Sequence, residues 1–389
     1  MTEKPSSTVG ILTNPSDDHA PPVRWALESA GVNVLTWDWS RFPAETGQAT
    51  FIPSNPEVPH SVWMDGGNCP SELTSFWYRR QAPVSPFPDT HPADVEYVRR
   101  QSIEYLRAEI ASLPVSQWVN HPQAAREAES KIAQLLAARA VGFDIPETLM
   151  TNDPVQLADF RSRMAGDIIL KMFWPMTWRD TEGKEFFTET SRIGAADDID
   201  PQSVRLCPGI FQRMINKDYE LRVTIFGREA IALALYSQSH ENTVDWRVDQ
   251  SLGRVPSAIV QIPREIEDKC RAVMRRLGIA FGAFDIVVGK DGRYYFIEVN
   301  QSGQFLFFDD ADPSVEMLQR FCSFLTQYRV PKSDFPSLVA YGSSETAACY
   351  DASITAARLR VGNPLFLDEA AVLPDLSVAP FVSEQLGIS

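Results

Sequence analysis

The chain of 389 residues is 44% hydrophobic and 22% charged, the composition of an ordinary globular protein with two or three packed parts. Its formal net charge of −15 argues against general nucleic-acid binding, because such binding neutralises phosphates with lysine and arginine. No stretch is apolar for long enough to span a bilayer, and the amino-terminal segment MTEKPSSTVG lacks the apolar core of a signal peptide. We therefore expect a cytoplasmic protein with neither a nucleic-acid nor a membrane partner. The five cysteines form no CxxC pattern, which argues against a disulfide framework or a zinc site.

Up to about Leu113 the chain alternates short apolar strands with helices. The strand candidates are VGILTN, VNVLTWDW and SFWYRRQ. A helical segment, PVRWALESAG, ends at Gly31, and a longer helix is predicted over residues 94–113. This order predicts a small open α/β domain.

A further helical pattern follows this domain. It runs from about Gln123 to the C-cap candidate Gly142. The apolar residues keep helical spacing and predict a buried stripe formed by Ile132, Leu135, Leu136 and Ala140. Lys131 lies just off this stripe, where an ordinary exposed lysine is the simplest interpretation.

Strands and helices continue to alternate through the middle of the chain. PETLMT predicts a strand, Asp153 and Pro154 open a helix, and DIILKMF predicts a strand that puts Lys171 at a sheet end. After a loop around Gly183, PGIFQRMI predicts a strand, and YELRVTIF with EAIALALYSQ predicts a hairpin that turns at Gly227. Two helices, PREIEDKCRAVMRRLG and PSVEMLQRFCSFLTQYR, flank one more hairpin.

Residues from about Pro331 to Ser389 differ from the rest, because small residues dominate and periodicity is weak. SSETAACYDASITAARLR is the only helical candidate there. We interpret this segment as an accessory tail that could cover the site, mediate contacts in a homodimer or do neither.

The most informative segment is FDIVVGKDGRYYFIEVNQSGQF, which predicts a β-hairpin closed by a two-residue turn at Asp291-Gly292. This register places Asp285 directly opposite Glu298, with Asn300 on the same face. The other face is wholly apolar and is predicted to pack on a core: Phe284, Ile286, Val288, Tyr295, Ile297 and Val299.

Two carboxylates that face each other across a hairpin repel, and a cation would relieve that repulsion. An Asp, a Glu and an Asn offer only oxygen ligands, which suits Mg²⁺, an ion that completes its shell with waters and substrate phosphates. The alternative is an exposed hairpin that ends in solvated acids, and this segment alone does not decide between the two. The cationic side chains that a nucleotide would need are Lys131, Lys171, Arg213, Lys217 and Arg222.

The order of a helix lysine, a strand-end lysine, a glycine-containing loop, FQRMI, YELRV and the Asp/Glu/Asn hairpin resembles the ATP-grasp superfamily of carboxylate-amine ligases. Within it, the segments WVNHP, SKIAQLLAA, PETLMTND, GIFQRMINKDYELRVTIFG, TVDWR and DIVVGKDGRYYFIEVNQSGQF resemble the graspetide (microviridin-type) synthetases, which modify ribosomal peptides. The resemblance covers about Val9 to Gln327. It implies an α/β (α+β) ATP-grasp fold with an N-terminal pre-ATP-grasp domain at 1–118, a central subdomain at 119–208, a grasp subdomain with the hairpin at 209–330, and the tail at 331–389.

The resemblance also implies which residues hold Mg²⁺ and the phosphates of ATP. Asp285, Glu298 and Asn300 would be the metal ligands, with Glu298 between two ions. Lys131 and Lys171 would hold the phosphates, where a flexible point charge is useful.

The nucleoside and the reacting phosphoryl group have their own implied contacts. Gln212 and the backbone of Arg213 and Ile215 would meet adenine, although a short apolar strand explains FQRMI equally well. Glu220 would reach the ribose and Arg222 the transferring phosphoryl group. A cross-strand salt bridge is the alternative for this last pair.

Asp245 and Arg247 in TVDWR are candidates for the acceptor site, where a guanidinium suits bidentate capture of a carboxylate. The implied reaction uses ATP to phosphorylate Asp or Glu side chains of a precursor peptide with a leader and an acidic core, and then closes rings with Ser or Thr (ester) or Lys (amide). Esters are favoured from the subfamily alone. Two alternatives are a ligase that joins an amino acid or small amine to a carboxylate, and a non-catalytic, nucleotide-gated peptide-binding protein.

Overall fold

The structure is a computed structural model that describes residues 7–348, except residues 65–66, 71, 165, 175–176, 180–184, 188–189 and 238–254. The chain has the predicted mixed α/β architecture and forms two compact units. Among the described residues, one unit holds residues 7–122 and 316–348, and the other holds those of 123–315. Across the described ranges, no helix has both the length and the apolar character that crossing a bilayer requires.

The first unit alternates strands and helices, as predicted. Its elements up to residue 119 are β1 (Thr8–Thr13), α1 (Ala20–Ser29), β2 (Asn33–Asp38), β3 (Ala49–Phe51), β4 (Ser61–Met64), β5 (Gly67–Asn68), β6 (Ser75–Tyr78), α2 (Val95–Ala111) and β7 (Trp118–Val119). The main sheet is parallel, with the order β2-β1-β6-β7. Strand β1 is buried throughout because it is a central strand of this sheet. A small antiparallel sheet, β3-β4-β5, was not predicted.

The second unit contains two larger antiparallel sheets and a two-stranded ribbon. Its elements are α3 (Pro122–Ala128), α4 (Lys131–Ala140), β8 (Thr148–Thr151), α5 (Pro154–Arg163), β9 (Ile168–Lys171), β10 (Thr177–Arg179), β11 (Glu185–Phe187), β12 (Ser191–Ile193), α6 (Pro201–Leu206), β13 (Gly209–Arg213), β14 (Lys217–Phe226), β15 (Glu229–Leu235), β16 (Ser257–Val260), α7 (Arg264–Leu277), β17 (Phe281–Gly289), β18 (Tyr294–Asn300) and α8 (Phe307–Ala311). One sheet has the order β12-β9-β13-β8, and the other has the order β16-β15-β14-β17-β18. The ribbon is β10-β11.

The five-stranded sheet carries the core of this unit on one face. Helix α7 ends at Gly278, which takes the left-handed φ of +68°. The helix buries an apolar stripe of Ile266, Cys270, Val273 and Met274 against that core. On β14 the core positions alternate with buried polar ones, Glu220, Arg222 and Thr224. The second face of the sheet therefore presents buried polar and charged side chains.

The helix predicted over 123–142 is two helices, α3 and α4, separated at Ser130, whose side chain caps α4. Most of the predicted stripe is wrong. Ile132, Leu136 and Ala140 are exposed, the first two by 53% and 58%. The buried residues are Gln134, Leu135, Ala137 and Ala138. The small alanines let α4 pack closely on α7 and β18, so that the larger side chains are turned outward.

Residues 316–348 belong to the first unit and form α9 (Met317–Leu325) and α10 (Leu338–Gly342). Helix α9 packs on the parallel sheet, where the rings of Phe321 and Trp77 lie 4.9 Å apart. Helix α10 was not predicted. The helix predicted for SSETAACYDASITAARLR is described only at residues 343–348, of which 345–348 are helical.

Candidate active site

The predicted hairpin is formed by β17 and β18, but its turn is one residue longer than expected. The Gly289 amide donates to the Arg293 carbonyl at 2.9 Å, and the Gly292 amide donates to the Gly289 carbonyl at 2.9 Å. Lys290, Asp291 and Gly292 therefore form a three-residue loop. Gly292 has φ +76°, the left-handed conformation that closes such loops.

A β-bulge at Ile297 offsets the longer turn. Ile286 lies opposite Phe296, one residue away from the predicted register. One step further along, Asp285 lies opposite Glu298, as predicted. Ile297 is the extra residue between these two pairs. The carboxylate pair therefore forms in a hairpin that has two irregularities, the longer turn and the bulge.

The bulge changes which side chains face the core. The prediction was wrong for Tyr295 and Ile297, because Phe296 takes the core position and is fully buried. Its ring lies 6.2 Å from that of Phe284. Tyr295 alternates with Phe296 and donates its hydroxyl to Asp291 Oδ2 at 2.8 Å. Tyr295 is also buried, at 2% exposed, and its hydroxyl braces the loop.

Asp285, Glu298 and Asn300 meet on one face of the hairpin. Asn300 Nδ2 donates to Asp285 Oδ2 at 3.2 Å and to Glu298 Oε1 at 3.3 Å. The two acidic side chains are 18% and 19% exposed. Water therefore reaches both carboxylates but screens them only in part, which strengthens their interactions with nearby charges.

Each carboxylate has a cationic partner from another element. Arg222 lies opposite Asp285 on β14 and donates from Nη1 to Asp285 Oδ1 at 2.8 Å and from Nη2 to the Gln304 carbonyl at 3.2 Å. Lys131, the first residue of α4, forms an ion pair with Glu298. The cross-strand salt bridge considered for Arg222 is thus present, and it lies within the predicted metal site.

The donor set of this site fits Mg²⁺ in kind. Both carboxylates offer oxygen, and a half-turn of the Asn300 amide replaces its nitrogen with its oxygen at the same point. In the part of the chain that the structure describes, no group of three His, Cys, Asp or Glu side chains could hold a metal ion. A metal at this site would therefore need oxygen atoms from phosphate or water to complete its shell.

Strand β13 carries the residues predicted to meet adenine. Gln212 is 2% exposed, its Nε2 donates to Thr148 Oγ1 at 2.9 Å, and its Oε1 has no hydrogen-bond partner among the described residues. A buried acceptor left in this state costs free energy, which a donor on a ligand would recover. The Arg213 amide donates to the Glu147 carbonyl at 2.9 Å and is not available to a base. Ile215 lies between β13 and β14.

A salt bridge between Arg213 and Glu147 connects strand β13 to the residue before β8. The Arg213 guanidinium pairs with the Glu147 carboxylate and holds the pKa of Glu147 below its ordinary value. The same guanidinium lies 5.7 Å from the centre of the Tyr295 ring. These contacts hold the start of β8, the end of β13 and the hairpin strand β18 together.

Glu220 shares a face with Arg222, as predicted, but it has a neighbour that the alternation of strand residues does not predict. The pairing of β14 with β17 shifts by one residue at Asp218. This bulge brings Lys217 to Glu220, and the two form an ion pair with side chains 9% and 8% exposed.

Three further residues were predicted to belong to the site. Lys171 is the last residue of β9, opposite Ile210 of β13, which places it at a sheet end as predicted. Asp245 and Arg247 lie outside the described residues. Their role at an acceptor site stays a prediction.

Two residues of the site were missed in the sequence. Gln134 is buried against β18, and the only signal for it was its position one helical turn after Lys131. Gly303 packs beneath the site, where an added Cβ would lie 2.7 Å from Arg222 Nη2 and 2.6 Å from the Ala283 side chain. A glycine at this point permits the close approach of backbone and guanidinium.

No family model and no curated protein matches the chain. Solved structures do match it. The Chryseobacterium gregarium RiPP-associated ATP-grasp ligase, in complex with ADP and a leader and core peptide, superimposes with a TM-score of 0.75 and 22% identity over 85% of this chain and 98% of that one. The macrocyclase MdnC from Microcystis aeruginosa MRC, bound with precursor peptide MdnA, gives a TM-score of 0.69 and 26% identity over 82% of this chain and 99% of that one.

A third structure, the macrocyclase MdnB from Microcystis aeruginosa MRC, gives a TM-score of 0.67 and 27% identity over 82% of this chain and 99% of that one. These matches span nearly the full length of the solved proteins, so they include both units described above. The resemblance found in the sequence is confirmed, and the chain is an ATP-grasp protein with the fold of the graspetide synthetases.

Proposed function

We propose that the protein is an ATP-dependent, ADP-forming ligase that activates Asp or Glu side chains of a ribosomal precursor peptide and closes macrocyclic esters or amides. One observation carries the proposal. Asp285, Glu298 and Asn300 converge on a point that Arg222 and Lys131 also reach, in a chain with the fold of peptide macrocyclases. A site of this composition matches the charge pattern of magnesium and a polyphosphate.

The residues of the site have distinct tasks in this reaction. Asp285, Glu298 and Asn300 would hold Mg²⁺, which when bound neutralises charge on the phosphate oxygens. Lys131 and Arg222 exchange their carboxylate partners for phosphate oxygens and hold the transferred group in line. The terminal phosphoryl group passes to a substrate carboxylate oxygen and ADP leaves.

Ring closure follows from the activated carboxyl group. A hydroxyl or amine of the same peptide attacks the acyl carbon, phosphate leaves with the carboxylate oxygen, and the nucleophile loses its proton. Each ring thus removes the elements of one water from the peptide. Asp245 and Arg247 are proposed to bind the acceptor carboxylate. The cytoplasmic location, the homodimer and the preference for esters stay predictions.

The test is the intact mass of a candidate precursor peptide after incubation with the protein, ATP and magnesium chloride. The expected result is the loss of one or more waters, abolished by Glu298→Gln. The matched control is Glu265→Gln, the same substitution on the exposed surface of α7, which should leave cyclisation intact.

Other results would point elsewhere. ADP release with an unchanged peptide would favour a ligase that uses a free amino acid or amine. Nucleotide binding without turnover would favour a non-catalytic binding protein. Full cyclisation by Glu298→Gln would contradict the metal assignment while leaving the peptide activity in place.

A further inference from the structure

Strand β18, which carries Glu298 and Asn300, is an edge strand of the five-stranded sheet. An edge strand presents backbone amides and carbonyls that need partners. The Phe296 amide finds one in the Asp144 carbonyl at 2.8 Å. At Val299 the partner is a side chain, that of Gln134.

The Gln134 side-chain amide makes the two hydrogen bonds to Val299 that a peptide unit of a neighbouring strand would make. Its Oε1 accepts from the Val299 amide at 3.1 Å, and its Nε2 donates to the Val299 carbonyl at 2.9 Å. Nε2 also donates to the Ala128 carbonyl at 2.6 Å, at the end of α3. The side chain is 2% exposed, so leaving these groups unpaired would be costly.

The same stretch of chain touches the residues on both sides of Val299. Lys131, one helical turn before Gln134, pairs with Glu298. Glu129 Oε1 accepts from Gln301 Nε2 at 3.3 Å. Of these three contacts, only that of Gln134 is fully buried and made to the backbone. It therefore fixes the position of the first turn of α4 against β18, whereas the other two depend on flexible side chains.

We propose that Gln134 is a positioning residue of the nucleotide site: it fastens α4 to β18 so that the Lys131 ammonium lies beside the Glu298 carboxylate. This inference rests on the proposed function, in which both residues serve the nucleotide. A lysine side chain has four flexible carbon–carbon bonds, so the placement of its charge depends on where its backbone is held. Without Gln134 the helix start moves away from the strand, and Lys131 samples positions from which it cannot reach a phosphate.

The experiment measures ADP binding by calorimetry in magnesium chloride, with no peptide present. Gln134→Leu, which keeps the approximate volume and removes the three hydrogen bonds, should weaken ADP binding roughly ten-fold or more. Gln123→Leu is the matched control, because Gln123 is exposed on neighbouring α3 and its side chain donates to Glu127 of the same helix. It should bind ADP like the parent protein.

A double-mutant cycle with Lys131→Met separates positioning from general support of the fold. If Gln134 acts through Lys131, Gln134→Leu has little further effect on ADP binding in the Lys131→Met background. Equal weakening in both backgrounds, or unchanged ADP binding with only a lowered melting temperature, would overturn the proposal. If Gln134→Leu does not fold, Gln134→Glu, which keeps the acceptor for the Val299 amide, takes its place in the same cycle.

The two proposals fail in different ways. Loss of the peptide activity would not alter the ADP measurement, because that measurement contains no peptide. Conversely, normal ADP binding by Gln134→Leu would leave the macrocyclase proposal untouched.

Discussion

Asp285 lies opposite Glu298 because two irregularities of the hairpin cancel: a loop with one extra residue and a bulge with one extra residue. The loop shifts the register by one position, and Ile297 shifts it back. The carboxylate pair thus depends on the conformation of the loop, which lies several residues away from it.

Gly292→Ala should destabilise the protein by about 1 kcal/mol, because alanine disfavours the left-handed φ of +76° that closes the loop. An added Cβ would meet nothing within 4 Å, so the cost comes from the backbone. Chemical unfolding measures the change. Gly342→Ala, at a helical position that also has open space, is the control and should not destabilise. Equal stability of Gly292→Ala and the parent would argue against the three-residue loop.

The loop should also respond to acid. The hydrogen bond from the Tyr295 hydroxyl, with help from the Arg293 amide, lowers the pKa of Asp291 from 3.8 to about 2. Because the folded-state pKa is lowered, this stabilisation is present above the unfolded value of 3.8 and is lost as the pH falls toward 2. An NMR titration of the Asp291 carboxyl should show a lowered midpoint that rises in Tyr295→Phe and stays low in Tyr294→Phe. An ordinary midpoint in the parent protein would contradict these contacts.

The two ion pairs of the site should differ in their effect on stability in metal-free protein. Asp285→Asn leaves the Arg222 guanidinium, 8% exposed, without its charged partner and should cost about 3 kcal/mol. Glu298→Gln leaves Lys131, which at 24% exposure retains more of its hydration, and should cost about 1 kcal/mol or less. Urea unfolding in the presence of a chelator compares the two variants. The reverse ranking would show that Arg222 finds other partners when Asp285 is neutral.

Gln212 should make the protein prefer ATP to GTP. The Thr148 hydroxyl donates to the Pro146 carbonyl at 2.9 Å, so its oxygen must accept from Gln212 Nε2, which leaves the buried Gln212 Oε1 as an acceptor without a hydrogen-bond partner among the described residues. That acceptor suits the amino group of adenine and opposes the carbonyl of guanine. We expect a preference of roughly ten-fold or more in nucleotide binding, reduced in Gln212→Leu.

Thr148→Val also tests the preference for ATP, by changing the residue that orients the Gln212 amide. Valine keeps the shape but removes the hydroxyl, so the Gln212 amide becomes free to rotate and offer its nitrogen to guanine. The preference for ATP should fall although Thr148 is proposed to touch no nucleotide. An unchanged preference in both variants would place adenine elsewhere.

Sequence reasoning could predict the hairpin and its carboxylates because turn dipeptides and alternation are local patterns. It could not predict the bulge at Ile297, since two one-residue shifts in opposite directions leave the distant pairing as it was. The stripe on α4 failed for a different reason. Its sequence offers two apolar faces, and the choice between them depends on the close packing of Ala137 and Ala138, which is a tertiary effect.

The bulge at Asp218 and the role of Gln134 could not be predicted from the sequence either, because both depend on tertiary structure. A lysine three residues before a glutamate on a regular strand would lie on the opposite face, so the buried pair of Lys217 with Glu220 requires the irregular backbone. A glutamine on a helix ordinarily faces water. Only the position of an unpaired strand edge beside it shows why this one is buried.

The two ion pairs at the hairpin balance the charges of the four side chains that form them. Asp285 and Glu298 are matched in number by Arg222 and Lys131, so an ion that binds either pair of side chains displaces their present partners. A metal ion alone would leave the two positive side chains without their partners, and a polyphosphate alone would leave the two negative side chains without theirs. Only a ligand that brings both signs at once lets all four side chains change partners together. The balance therefore discriminates against free magnesium and against uncomplexed nucleotide, and in favour of their complex.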